Sequence, residues 1–292
     1  MAGGRNEPQS TQSTMLNDAH HRMPASASHM VRSLWRHRDL IGQMTRRDVV
    51  GRYKGSIMGL AWSFLNPLLM LVIYTFVFRV IFKARWVAVG NESNVDFAIV
   101  LFVGMIVHSL FAECVNRAPG LIITNVNYVK KVVFPLEILP AVALGSALFH
   151  GATSMLVLLA VVLATNGAVH PQVLLAPVLI LPVAAIALGV AWFLASLGVF
   201  LRDVGQITGI LTTALLFLSP VFFPLAAMPE KYRGLIQINP LTIAIEQTRD
   251  AVIWGRNPDW IIFGIYLALG LLTAWGGYWW FQRTRRGFAD VL

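Results

Sequence analysis

The stretch ILPAVALGSALFHGATSMLVLLAVVLATNGAVHPQVLLAPVLILPVAAIALGVAWFLASLGVFL, residues 138–201, runs for 64 residues without one formal charge. A hydrocarbon core about 30 Å thick is crossed by roughly 20 helical residues, so this stretch is too long for one span. Asn166, Gly167, His170, Pro171 and Gln172 interrupt it with turn-forming residues. Two membrane-spanning helices joined by a tight turn are the economical reading.

Other segments repeat the pattern on either side. Ile57 to Phe78 is free of charge for 22 residues and is bounded by Lys54 and Arg79. Phe97 to Ala112 offers 16 apolar residues and must borrow polar flanks such as Glu113 to cross. Val204 to Pro229 follows, broken by Pro220 and Pro224, and Trp260 to Gln282 precedes Arg283, Arg285 and Arg286. The sequence therefore predicts an all-α, polytopic membrane protein with six transmembrane helices. Composition agrees, because the 292 residues are 57% hydrophobic and 13% charged, whereas soluble domains carry about 25% charged residues. The lone Cys114 excludes an intramolecular disulfide framework and gives no basis for a Cys-based metal site. In so apolar a chain the net charge of +9 points to basic cytoplasmic loops, and no nucleic-acid partner is expected. With both termini cytoplasmic, 16 Lys and Arg fall inside and 7 outside, although Arg79, Lys83 and Arg85 oppose the rule locally.

Between and before the spans lie segments of another kind. Residues 1–30 are polar and rich in Ser, Gln, Asn and His, and read as a disordered cytoplasmic tail with no signal peptide. Residues 31–54 place Leu34, Ile41 and Met44 on one helical face with Arg38, Arg46 and Arg47 largely elsewhere, while Trp35 and Leu40 add apolar area. This predicts an interfacial amphipathic helix in preference to a solvated charge run. Arg46, Arg47, Arg52 and Lys54, with Asp48 and Tyr53 among them, are expected against anionic headgroups or a partner. Gly51, Gly55 and Gly59 then recur every four residues, which suits a close helix contact or a sharp change of direction. A six-span domain over 55–285 and a cytoplasmic C-terminal tail over 286–292 complete the expected organisation. From Ser219 to Asp259, prolines and charges alternate with apolar pairs too closely for a full crossing, so external re-entrant helices are predicted between spans five and six. A plain loop would expose Leu241, Ile243, Ile245 and Val252 to water.

Four separated motifs carry a family resemblance. RRDVVGRYKGSIMGLAWSFLNPLLMLVIYTFVF (Arg46 to Phe78), NYVKKVVFPLEILP (Asn127 to Pro140), FLRDV (Phe200 to Val204), and SPVFFP with INPLT (Ser219 to Pro224, Ile238 to Thr242) appear in this order. Together they resemble ABC exporter permeases of the O-antigen, capsule and teichoic-acid type, over roughly residues 33–285. The resemblance implies a homodimer in the bacterial inner membrane that pairs with two ATP-binding cassette subunits and passes a lipid-linked glycan out of the cytoplasm. ATP and Mg would belong to the partner, and no cofactor to this chain. The sequence agrees on one point: it contains no G-x-x-x-x-G-K-[ST] phosphate loop.

Candidate chemistry is sparse. His108, Glu113 and Cys114 cluster near the end of the second span and His150 lies in the third, yet no acid or base is legible opposite them, so hydrogen bonding inside the bundle is the favoured reading. His20 and His21 lack tetrahedral metal spacing. Trp62, Phe64, Tyr74, Phe76, Phe78 and Phe217 offer flat faces for sugar rings and are candidates for the channel lining, against the alternative of ordinary lipid-facing aromatics. Asn127, Lys130, Lys131, Phe134, Pro135 and Glu137 combine charge, an aromatic and a rigid turn, as a docking loop for the ATPase would, with Arg202 and Asp203 as a smaller contact. Pro220, Phe222, Phe223, Pro224, Asn239 and Pro240 are the candidates for an external gate. Other readings are an exporter of drugs or small lipids, a proton-coupled secondary transporter using Glu113 and His108, and a membrane-embedded glycosyl- or acyltransferase.

Overall fold

Apolar length sorts the helices of the computed structural model, which describes residues 26–83, 86, 97–130 and 134–292. Much of the expected tail, His20 and His21, Arg85 and Lys131 lie outside the described residues, as does the side chain of Lys130. The described residues form helices and turns with no strand. Five helical stretches are long and apolar enough to cross a membrane: Gly59–Ile81, Phe97–Gly120, Ile138–Thr165, Pro171–Phe200 and Trp260–Val291. The sixth expected span is short. Its helix covers Val204–Leu218, 15 residues, or about 22 Å at 1.5 Å per residue, and stops before Pro220.

The described residues open with two helices where one was expected, α1 (Ala27–Arg36) and α2 (Arg38–Arg52). Ser26 caps α1 by accepting a hydrogen bond from the His29 amide, so residues 27–30 of the expected tail are helical. The break at His37 lets both helices turn apolar residues onto one cluster, where Met30 and Met44 are buried and Leu34, Leu40 and Ile41 pack beside them. The amphipathic pattern is thus satisfied in part by protein, although Trp35 stays exposed. At Gly51, Gly55 and Gly59 an added Cβ would meet nothing within 4 Å. Gly55 and Gly59 have φ of +87° and +50°, so these glycines redirect the chain into the first span and make no close helix contact.

The spans proper are α3 (Trp62–Tyr74, extended by wider π turns over Thr75–Ile81), α4 (Phe97–Arg117), α6 (Ile138–Asn166), α7 (Leu181–Phe200) and α11 (Trp260–Thr284). The short α5 (Val126–Lys130) precedes α6, α8 (Val204–Leu218) follows α7, α9 (Glu230–Ile238) and α10 (Thr242–Val252) precede α11, and α12 (Phe288–Val291) closes the chain. Being apolar all round, α4 is central, with Val100, Leu101, Val103 and Val107 fully buried. By contrast, α3 turns most of its apolar side chains outward. Gly167, with φ of +73°, ends α6 in the left-handed conformation, as the turn between the third and fourth spans requires.

α7 and α11 approach through their backbones. A Cβ at Gly277 would stand 2.0 Å from the Gly189 carbonyl oxygen, and one at Gly189 would stand 2.3 Å from that of Thr273. Small residues permit such contact, and dispersion between the two backbones replaces a hydrophobic drive that lipid cannot supply.

α1 and the C-terminal residues share one cluster. Met30, Ile138, Trp192, Tyr278, Phe281 and Phe288 are all buried in it, with Leu292 packed beside them, so the expected tail over 286–292 is docked on the bundle. The Phe200 ring neighbours that of Phe288, with centroids 6.0 Å apart, which places the start of α8 at this terminal end. The carbonyl of Val221, just after α8, meets an arginine that also binds Val100 near the start of α4. From one end of the bundle to the other, α8 and its terminal turn therefore climb nearly the full height. Gly277→Ala should lower the unfolding midpoint in detergent by an amount equivalent to ~1–3 kcal/mol. Gly276→Ala, where an added Cβ meets nothing within 4 Å, should leave the midpoint unchanged, and equal effects of the two changes would refute the contact.

Candidate functional site

At the terminal end, a buried carboxylate gathers four parts of the chain. Glu137, directly before α6, accepts hydrogen bonds from Ser33 of α1 at 3.0 Å and from Arg285, just beyond α11, at 2.7 Å. Arg285 also donates to the Phe134 carbonyl at 3.0 Å, and the Trp192 indole of α7 donates to the Glu137 carbonyl at 2.9 Å. Phe134 stacks on Tyr128 of α5, with centroids 4.2 Å apart and planes 12° apart. Arg47 of α2 in turn donates to the Tyr128 hydroxyl at 3.2 Å. The loop thus carries its aromatic against its own α5 and is latched to both termini. Charge-assisted bonds of this kind are short and directional, so the loop is held in one geometry. Phe134 and Pro135 remain half-buried and Asn127 is exposed. Arg202 and Asp203, both exposed, face solvent between α7 and α8, where Asp203 makes no side-chain cap.

A second polar ladder runs between α2, α4 and α6. Asp48 accepts from Arg117 at 2.7 Å and from Ser146 at 2.6 Å. Partial burial works to raise the Asp48 pKa, but the Ser146 hydroxyl and the Arg117 guanidinium outweigh it and hold the carboxyl below its ordinary 3.8. The stabilisation from this contact is complete above that ordinary value and disappears only as pH falls through the lower folded one. Glu113 accepts from Arg52 at 2.5 Å and meets His150 at 3.0 Å. The partners that sequence reading did not find opposite Glu113 are therefore Arg52 and His150, 61 and 37 residues away. Tyr53 sets its ring edge-on to His150 at 6.2 Å. Arg46 and Lys54 stay exposed, as headgroup contacts would need. His108 has a different partner, the Thr212 carbonyl of α8 at 2.9 Å, so no His108–Glu113 relay is built.

At the far end, the fully buried Arg249 of α10 was invisible to sequence reading, where it counted only as one outside charge. Its guanidinium donates to the carbonyls of Val100 at 3.0 Å, Val221 at 2.8 Å and Pro220, and to Glu246 at 3.2 Å. It lies 4.7 Å from the centroid of the Trp86 ring. Asn239 adds donors to the Leu218 carbonyl at 3.1 Å and the Ser219 hydroxyl at 2.9 Å, and its own oxygen accepts from the Leu241 amide at 3.0 Å. Proline provides no amide hydrogen, so the carbonyls released where α8 ends find side-chain donors from the α9–α10 segment. Leu241, Ile245 and Val252 are buried by the same docking. Of the expected gate residues, Pro220 and Asn239 sit inside this knot, while Phe222, Phe223, Pro224 and Pro240 are half-buried.

The expected channel aromatics divide. Phe64, Phe76 and Phe217 are exposed, and Phe217 stacks on Phe222 at 5.6 Å. Trp62 donates to Ser56 at 2.9 Å. Tyr74 and Phe78 turn inward, toward Phe102 at 6.4 Å and Phe97 at 5.2 Å. No cluster of three or more metal-ligating side chains occurs among the described residues.

Replacing Arg249 by Met, with Glu246→Gln to remove the stranded carboxylate, leaves three carbonyls without their donor. Each unpaired buried group costs on the order of 1–3 kcal/mol, so unfolding in detergent should shift by several degrees and proteases should cut within residues 222–245. Arg249→Lys should not restore the wild-type midpoint, because one ammonium lacks the reach of a planar fork.

The ABC-2 type transporter family model matches residues 39–253. The chain is 27% identical over 265 residues to the O-antigen export system permease protein RfbA of Myxococcus xanthus, covering 90% of this chain and 99% of that protein. It is 27% identical over 262 residues to the protein of the same name from Klebsiella pneumoniae, covering 87% and 95%. To the polysialic acid transport protein KpsM of Escherichia coli it is 26% identical over 236 residues, covering 78% and 86%. A match across most of its length, on a membrane-spanning helical bundle, shows that this chain belongs to the ABC-2 type transporter family.

Proposed function

We propose that this chain is the permease subunit of an ATP-driven exporter that moves a lipid-linked polysaccharide out of the cytoplasm. The observation that carries the reading is that relatives matched along 78% to 90% of this chain are named as permeases or transport proteins for O-antigen or polysialic acid. Two copies would form the pathway, with two ATP-binding cassette subunits on the cytoplasmic side supplying ATP and Mg chemistry. The terminal end of the bundle, with its latched Phe134 loop, is the cytoplasmic end in this reading. This reading takes six crossings, an even number, in keeping with the single cluster that holds α1 and the C-terminal residues. α8 makes the short one, completed by the Arg249-capped turn and the re-entrant α9–α10 segment.

The latch gives the loop its mechanical role. Closure of the ATPase pair pushes on the Phe134–Glu137 segment, and the hydrogen bonds of Glu137 pass that displacement to α1, α7 and the end of α11 together. Exposed Phe64, Phe76 and Phe217 line the path, and the external segment closes it between passages.

In vesicles containing the chain and its ATPase, Phe134→Ala and Glu137→Ala should retain ATP turnover while glycan export falls at least about tenfold, in line with the 2 kcal/mol or more typical of a truncated interface anchor. Wild-type export per ATP in both variants would remove the loop as the coupling element. Paired cysteines introduced at residues 222–245 of the two protomers should cross-link across the two-fold axis at rest, and failure at every position would count against an external closure.

A further inference from the structure

Between the loosely packed α3 and the pair α4 and α6 lies a cavity of about 240 Å³ that none of the contacts above fills. It is graded along the bundle. Toward the terminal end it is lined by Arg52, Tyr53, Asn66, Ser109, Glu113 and His150; deeper in, Met70, Tyr74, Phe102 and Met105 take over. Asn66 and Ser109 are exposed at the cavity. Among the described residues, Glu113 Oε2 has one polar contact, His150, while Oε1 is shared by Arg52, Arg117 and His150.

Three classes of occupant can be compared on these groups. A hydrocarbon tail would leave Asn66, Ser109 and Tyr53 without partners in an apolar setting, which is costly. A phosphate would face the Glu113 carboxylate, and Arg52, its nearest cation, already holds that carboxylate at 2.5 Å. A hydroxyl-rich ring suits both ends, because its hydroxyls can donate to Glu113 and exchange hydrogen bonds with the Asn66 amide and Ser109. Its C–H face can lie against Tyr74 and Phe102, whose ring centroids are 6.4 Å apart. We infer that this intra-protomer cavity binds one uncharged pyranose ring. The site rests on the polysaccharide-export reading and adds to it a holding point within each protomer, apart from the exposed aromatics assigned to the path.

The test uses the chain with its ATPase in nanodiscs and saturation-transfer NMR with four probes: the methyl pyranosides of glucose, galactose, mannose and N-acetylglucosamine. At least one should receive saturation on its ring C–H protons. Asn66→Ala with Ser109→Ala should weaken that binding about tenfold, as expected for two lost hydrogen bonds. Ser109→Phe, which fills the cavity, should abolish it, and co-purification of the ATPase checks that both variants fold. Transfer to none of the four, transfer unchanged in both variants, or competition by dihexanoyl phosphatidylethanolamine alone would overturn the site. Glycan export measured in vesicles of the same wild-type complex separates the two readings: export without pyranoside binding removes the cavity proposal and leaves the exporter, and no glycan export removes the exporter itself.

Discussion

A helix that stops inside hydrocarbon leaves carbonyl oxygens that no water can reach, and each must find a donor within the protein. α8 ends ahead of Pro220, and the carbonyls of Leu218, Pro220 and Val221 find their donors in the Asn239 amide and the Arg249 guanidinium. Much of the far end follows from that requirement. α10 must lie against α4 for Arg249 to reach Val100, the α9–α10 turn must return to Ser219, and position 104 must remain glycine-sized because an added Cβ would stand 2.7 Å from Arg249 Nη2. The α9–α10 segment is thereby part of the bundle's backbone pairing as well as a cover on its end.

The same economy governs the basic residues at the terminal end. Arg52, Arg117 and Arg285 count toward the basic excess expected on one side of the membrane, yet each is committed to a carboxylate of another segment: Glu113, Asp48 and Glu137. The same charges lock one helix to another. Removing one partner of such a pair leaves an uncompensated charge, which is costlier than the pair was stabilising. These contacts therefore specify how α2, α4, α6 and α11 fit together more than they stabilise the bundle.

Apolar run length is a local property, and what depends on it was legible. The division of residues 138–201 at Asn166–Gln172 and the final span from Trp260 both appear where the sequence placed them. Burial of Leu241, Ile245 and Val252 likewise agrees with the argument against a plain loop. The break at His37 was not legible, since one amphipathic pattern runs through both α1 and α2. Arg249 looked like a solvent charge because its acceptors are backbone carbonyls, which carry no residue type to recognise. Glu113 seemed partnerless because Arg52 and His150 come from other helices. For the candidate site, residue types pointed to the 127–137 loop, and only the fold pairs Glu137 with Arg285, 148 residues away.

Synthesis from the N-terminus gives the shared cluster of both chain ends a temporal meaning. His29 of α1 meets the Tyr278 hydroxyl at 2.9 Å across 249 residues of sequence. At roughly 5–20 residues per second of translation, α1 waits on the order of ten seconds or more before its seat exists. A chain cut short before α11 lacks Arg285 and Tyr278 and cannot close the latch around Glu137. Full docking of α1 therefore comes after α11 is made, and a chain that ends earlier leaves the amphipathic α1 without the part of its seat that Tyr278 supplies.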